Sequence, residues 1–158
     1  MDKEDLKLAS SRSRRISLQS VREKKGGLDA RRNKMLERVP NPGDWGIMDH
    51  KSLRIMDLAY LTAATGDEFA ILRGKHEDVL FHGTSLNCTF TDELAFGIRS
   101  HKYELIGHSH NGEDEPKPSP DDRAFLMETG QERSMVISAR TGRITDYTAD
   151  PFEGRYTV

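Results

Sequence analysis

Tyr103-Glu104-Leu105-Ile106-Gly107-His108-Ser109-His110 is a partly apolar run, closed by a glycine, that reads as a β-strand delivering two histidines to one place. Residues two apart on a strand face the same side, so His108 and His110 point at a common centre while Ser109 points away. Downstream, Ser119-Pro120-Asp121-Asp122 precedes Arg123-Ala124-Phe125-Leu126-Met127. Serine is a favoured helix N-cap and proline a favoured first helical residue, so a helix starts here with Asp122 in its first turn. Taken alone, Ser119 and Asp122 form an ordinary cap, the carboxylate being stabilised by the helix dipole and free N–H groups. With His-x-His ahead of it, the same aspartate becomes a third donor. Two imidazoles and a carboxylate make a set that zinc accepts readily, with a fourth position left for chemistry. Asp121 is the rival ligand if the helix begins one residue differently.

A hydrolytic metal site also needs a group to carry protons. Glu68 is the candidate. It lies in Gly66-Asp67-Glu68-Phe69-Ala70-Ile71-Leu72-Arg73-Gly74, where a turn leads into an apolar run ended by glycine, the pattern of a buried strand entered from a loop. A carboxylate at the mouth of such a strand is costly to bury unless paired, near a metal or protonated.

Taken together, Asp67-Glu68-Phe69-Ala70-Ile71-Leu72-Arg73-Gly74, His108-Ser109-His110 and Pro118-Ser119-Pro120-Asp121-Asp122 resemble the JAB/MPN metalloproteases that carry the JAMM motif. The resemblance covers about residues 52 to 148 and looks most like the prokaryotic, RadC-like branch. It implies a JAB1/MPN-like (cytidine-deaminase-like) domain acting as a zinc peptidase or isopeptidase. His108, His110 and Asp122 would hold a single zinc ion per chain, Glu68 would be general base and acid, and Ser119 would position or stabilise the oxyanion. The implied substrate is a polypeptide: ubiquitin, a ubiquitin-like carrier, a phage or toxin protein, or the chain's own precursor. This sequence departs from the pattern in two places. The gap between His110 and Ser119 is one residue longer, and Asn111 stands where a proline commonly follows the second histidine. A one-residue loop insertion is cheap when its ends are anchored.

Other signatures fail. In His76-Glu77-Asp78-Val79-Leu80-Phe81-His82 the histidines are too far apart for one helical face, and Val79-Leu80-Phe81 reads as a strand with His82 as a packed or edge residue. His50, His76 and His101 are isolated in polar contexts and read as solvated. Cys88 is the only cysteine, which excludes intrachain disulfides and thiolate zinc knots, and it has no nucleophile's partner nearby in sequence.

Elsewhere the periodicity predicts a helix over about 52–64, with Leu53, Met56, Tyr60 and Ala63 on one face and Leu58 and Leu61 widening the stripe. Strands follow over 68–73, 78–83 and 85–90, a helix over 92–98, a strand over 103–107, a helix over 120–129, and a hairpin of strands over 134–139 and 143–148 around Gly142. This order gives an α/β (α+β) fold, a mixed β-sheet flanked by helices. Met48 and Met56 are read as core fillers.

The chain has 158 residues, enough for one ordinary domain. Residues 1–39 carry 12 of the 24 basic and 6 of the 26 acidic side chains, a net charge of +6, and the remainder carries −8. We therefore divide the chain into a basic arm, 1–39, and a metalloprotease-like domain, 40–158. The turn-rich Val39-Pro40-Asn41-Pro42-Gly43-Asp44-Trp45-Gly46 marks the boundary, with Trp45 sealing the domain's start. High charge and few apolar residues predict an arm that is a solvated linker, disordered or helical on a partner. Such an arm can neutralise nucleic-acid or lipid phosphates, a reading less favoured than the linker. With no signal-peptide core and no membrane span, a cytoplasmic location is expected. The competing functional classes are a non-catalytic MPN-like scaffold and a RadC-like DNA-associated protein.

Overall fold

The computed structural model describes residues 3–152, with side chains from residue 11 onward. Residues 153–158 of the domain and the first two of the arm lie outside the described residues. In chain order the elements are α1 (Lys3–Arg22), α2 (Ala30–Glu37), β1 (Trp45–Asp49), α3 (Ile55–Thr65), β2 (Phe69–Gly74), β3 (Glu77–His82), α4 (Asp92–Arg99), β4 (Tyr103–His110), α5 (Pro120–Thr129), β5 (Arg133–Ser138) and β6 (Ile144–Thr148). The six strands form a single mixed sheet in the order β1-β3-β2-β4-β5-β6. Every neighbouring pair is antiparallel except β4 and β5, which run parallel through the crossover helix α5.

Strand alternation sorts the core into two layers. Phe69, Ile71, Leu80 and Ile137 point to one face, where they pack with Leu58, Leu61 and Ala63 of α3 and Leu18 and Val21 of α1. Ala70, Leu72, Val79, Phe81 and Val136 point to the other face, against Leu94 and Ile98 of α4 and Leu126 of α5. The result is helices on both sides of a central sheet, the mixed α/β architecture expected from the order of periodicities. Most predicted elements recur within one or two residues, and β4 runs on through both histidines to His110.

Three expectations need correction. The segment 85–90 forms no strand, although Leu86, Cys88 and Phe90 alternate. The Thr84 hydroxyl accepts from the N–H groups of Leu86 and Asn87, and the Thr84 N–H donates to the Asn87 carbonyl, so a local turn takes up these backbone groups. Leu86 is left 84% exposed at its tip. Conversely, the boundary stretch runs into an edge strand, β1, paired with β3 from Trp45↔Phe81 to Asp49↔Glu77.

The third correction concerns the basic arm, which is bound to the body and is not a free linker. Leu18 and Val21, three apart on α1, are buried against α3. Arg22 donates to the Ala139 carbonyl at 2.8 Å. On α2, Arg31 bonds both oxygens of the fully buried Asp57 at 2.8 and 2.7 Å, and Arg32 Nε adds a third bond at 3.0 Å. Asp57 also accepts from the Arg54 N–H at 2.9 Å at the start of α3. The arm's charges thus neutralise a carboxylate of the domain, a use that composition does not reveal. Leu18→Ala is expected to destabilise the folded domain by about 2–5 kcal/mol, the range for emptying a buried leucine site. Thermal melts of the whole chain check this, and an unchanged melting temperature would show that α1 is dispensable.

Candidate metal centre

β4 and the start of α5 build the centre. His108 is buried and His110 nearly so, both on the sheet face covered by α5. Ser119 caps α5 through a reciprocal pair of bonds: its hydroxyl accepts from the Asp122 N–H at 3.1 Å, and its own N–H donates to Asp122 Oδ2 at 2.8 Å. The cap therefore aims Asp122 inward. Asp122 Oδ2 stands 3.1 Å from His108 Nε2 and 3.3 Å from His110 Nε2, and the two nitrogens are 3.2 Å apart. Asp121 is exposed on the same turn and takes no part in this group.

The triangle tests the donor set. Each Nε2 presents either one hydrogen or one lone pair, so two of them cannot satisfy all three edges. A cation facing the three atoms meets every lone pair at once. Tetrahedral zinc with bonds of about 2.0–2.1 Å holds neighbouring ligand atoms about 3.3 Å apart, which the observed edges match. Among the described residues this is the single group of His, Cys, Asp and Glu side chains disposed to hold a metal ion. The two nitrogens and one oxygen are donors that could hold a metal ion.

Glu68 stands one residue before β2. The antiparallel register with β4 ends at Ala70↔His108, two residues on from Glu68, and the charges of His110, Asp122 and Glu113 reach the Glu68 carboxyl. Its carboxyl group is 6% exposed as a residue and has no hydrogen-bond partner among the described residues. Burial, the largest influence, pushes its pKa up to about 7; the charge of His110 opposes this, and those of Asp122 and Glu113 add to it. For Asp122, burial is outweighed by the hydrogen bonds from His108 and His110 and the Ser119 N–H, which hold it well below the usual carboxylate range. Burial alone would lower the His110 imidazole, but Asp122, Glu68 and Glu113 together raise it. Two carboxyl groups in one cleft are thus driven in opposite directions, a pattern typical of acid–base sites.

The loop from Asn111 to Pro118 is anchored along its length despite its extra residue. The Ser138 and Thr141 hydroxyls donate to the carbonyls of Glu113 and Asp114, Arg15 and Arg140 approach Asp114 at 3.3 and 3.4 Å, and Arg143 pairs with Glu115. Tyr147 sets its ring at right angles to His108, with centroids 6.0 Å apart. Cys88 lies close enough to Glu68 and Asp122 to feel their charge, a proximity the sequence did not signal. Burial first, then those two carboxylates, push its thiol above the ordinary range, which disfavours the thiolate. His82 is packed, as its position in a strand suggested. It stacks on Phe69 and places its ring nitrogens 2.8 Å from Asp67 Oδ2 and 2.6 Å from the Pro40 carbonyl. No helix among the described residues is long and apolar enough to cross a membrane. Comparison of the chain with protein-family models, with curated proteins and with solved structures finds no match.

Proposed function

We propose that this chain is a zinc-dependent metallopeptidase or isopeptidase with a JAB1/MPN-like domain, hydrolysing peptide or isopeptide amides. The observation that carries the reading is the 3.1–3.3 Å triangle of His108, His110 and Asp122 with the buried, unpartnered Glu68 beside it. His108, His110 and Asp122 would hold the ion. A bound zinc supplies Lewis acidity and makes water ionisable near pH ~7.

Glu68 takes the proton from the attacking water as the water oxygen forms its bond to the amide carbon. It returns that proton to the leaving nitrogen as the C–N bond breaks. A carboxyl whose pKa is pushed to about 7 suits both halves of this task near neutral pH. The Ser119 oxygen accepts the Asp122 N–H, which leaves the hydroxyl hydrogen to donate to the developing oxyanion.

The test is cleavage of a mixed peptide library and of linked ubiquitin-like proteins, followed by mass spectrometry. Cleavage is expected with zinc, lost with chelator, restored by added zinc, and absent in His108→Ala, whose zinc content falls. Cleavage indifferent to chelation would refute the metal mechanism, and zinc bound without cleavage would favour the non-catalytic scaffold.

A further inference from the structure

The geometry points to Ser109 and Asn111 as positioning residues that set where Glu68 stands relative to the His108–His110–Asp122 triangle, an inference resting on the function proposed above. At the end of β4, His108 and His110 face the centre, while Ser109 between them and Asn111 just beyond fasten the segment that carries Glu68. The β2–β4 register ends at Ala70↔His108. Beyond that point side chains take over. The Phe69 N–H donates to Ser109 Oγ at 2.9 Å, one residue after Glu68. Asn111 Nδ2 donates to the Gly66 carbonyl, two residues before Glu68. Glu68 is therefore bracketed on both sides by bonds from the residues that flank His110.

The bracket is tied into α3 as well. Ser109 is fully buried, with its hydroxyl 2.6 Å from that of Thr62 and 3.3 Å from the Phe69 carbonyl. One arrangement uses all three contacts: Thr62 donates to Ser109, and Ser109 donates to the Phe69 carbonyl while accepting the Phe69 N–H. Gly66, whose carbonyl Asn111 takes, is the left-handed cap that ends α3, with φ of 80° and its N–H on the Thr62 carbonyl. The last turn of α3 and the entry to β2 are thus fastened to the strand that carries His108 and His110. On its other side Glu68 is held to the loop after β3, its N–H on the Thr84 carbonyl at 2.8 Å and its carbonyl on the Gly83 N–H at 2.7 Å. A base at the end of a ladder is where fraying would displace it, and misplacement by about 1 Å can cost on the order of 100-fold in rate.

Cobalt replaces zinc as a spectroscopic probe that needs no substrate. The pH midpoint of the cobalt visible spectrum is measured in the whole protein, in Glu68→Gln, Ser109→Ala, Asn111→Ala and Thr62→Val, and in Thr62→Ser, which keeps the hydroxyl. All are expected to bind cobalt at parental stoichiometry. Glu68→Gln is expected to move the midpoint, Ser109→Ala and Asn111→Ala to follow it by at least half of that shift, Thr62→Val to follow partly, and Thr62→Ser to match the parent. Asn111 is partly exposed, so its variant decides the matter if Ser109→Ala does not fold. Parental midpoints in both Ser109→Ala and Asn111→Ala, with Glu68→Gln shifted, overturn the bracket and leave the proposed function standing. A parent that binds no cobalt, or a midpoint indifferent to Glu68→Gln, overturns the proposed function and the bracket with it.

Discussion

Glu68→Gln is expected to abolish amide hydrolysis while retaining zinc, and to make the zinc-free protein more stable above neutral pH. The first effect follows from removing the proton carrier: rates should fall by at least about 100-fold, the lower end for loss of general acid–base catalysis. Zinc stays because Glu68 is not a member of the ligand triangle. The second effect follows from linkage. The Glu68 carboxyl is moved from 4.5 in its ordinary state to about 7 in the folded protein, mainly by burial. Across that window the folded protein holds a proton that the unfolded chain has released, so the group's contribution to stability declines as pH rises from the lower value to the higher. Above pH 7 the deficit is constant at about 3 kcal/mol, from 1.36 kcal/mol per unit. Glutamine carries no charge to bury. In chelator the variant should therefore melt well above the parent at pH 8, and the difference should vanish below about pH 4.5. Thermal melts over that range measure it; a difference independent of pH would show that burial does not penalise this carboxylate.

Asp122→Ala is expected to remove the metal, whereas Asp121→Ala should leave it. Asp122 Oδ2 meets three donors, His108, His110 and the Ser119 N–H, so the substitution also strips α5 of half its cap, typically about 1 kcal/mol. The metal's share is larger. With free zinc at 100 times the dissociation constant, bound zinc stabilises by about 2.7 kcal/mol. The gap in melting temperature between zinc and chelator should be present in the parent and in Asp121→Ala, and absent in Asp122→Ala. Zinc content by elemental analysis should follow the same division. Asp122 is held below its ordinary carboxyl value of 3.8, so what it contributes to the zinc-free protein is present above that pH and is lost progressively below it. Equal zinc in both variants would place the third ligand elsewhere.

Much of the centre was legible in sequence because its parts are local. Strand parity puts His108 and His110 together, and a serine–proline start puts Asp122 in the first turn of a helix; both depend on residues a few positions apart. The glutamate was harder. Acidic residues at strand starts are common, and Glu68 gained weight only through a pattern spanning Glu68 to Asp122. In the sequence Asn111 stands out only as a residue where the JAMM pattern commonly has proline, and its bond to the Gly66 carbonyl carries no sequence signal.

Local spacing and capping chemistry were thus enough to single out His108, His110 and Asp122 and to give most of the order of helices and strands from α3 onward. Long-range pairing was needed to seat Glu68 beside them, to recruit Trp45–Asp49 as an edge strand, to leave 85–90 as a loop and to dock the basic arm on Asp57. The reason is the range of the forces. A cap or a strand's alternation is satisfied by neighbours in the chain, whereas the burial of Leu18, the neutralisation of Asp57 and the desolvation of Glu68 depend on partners tens of residues away.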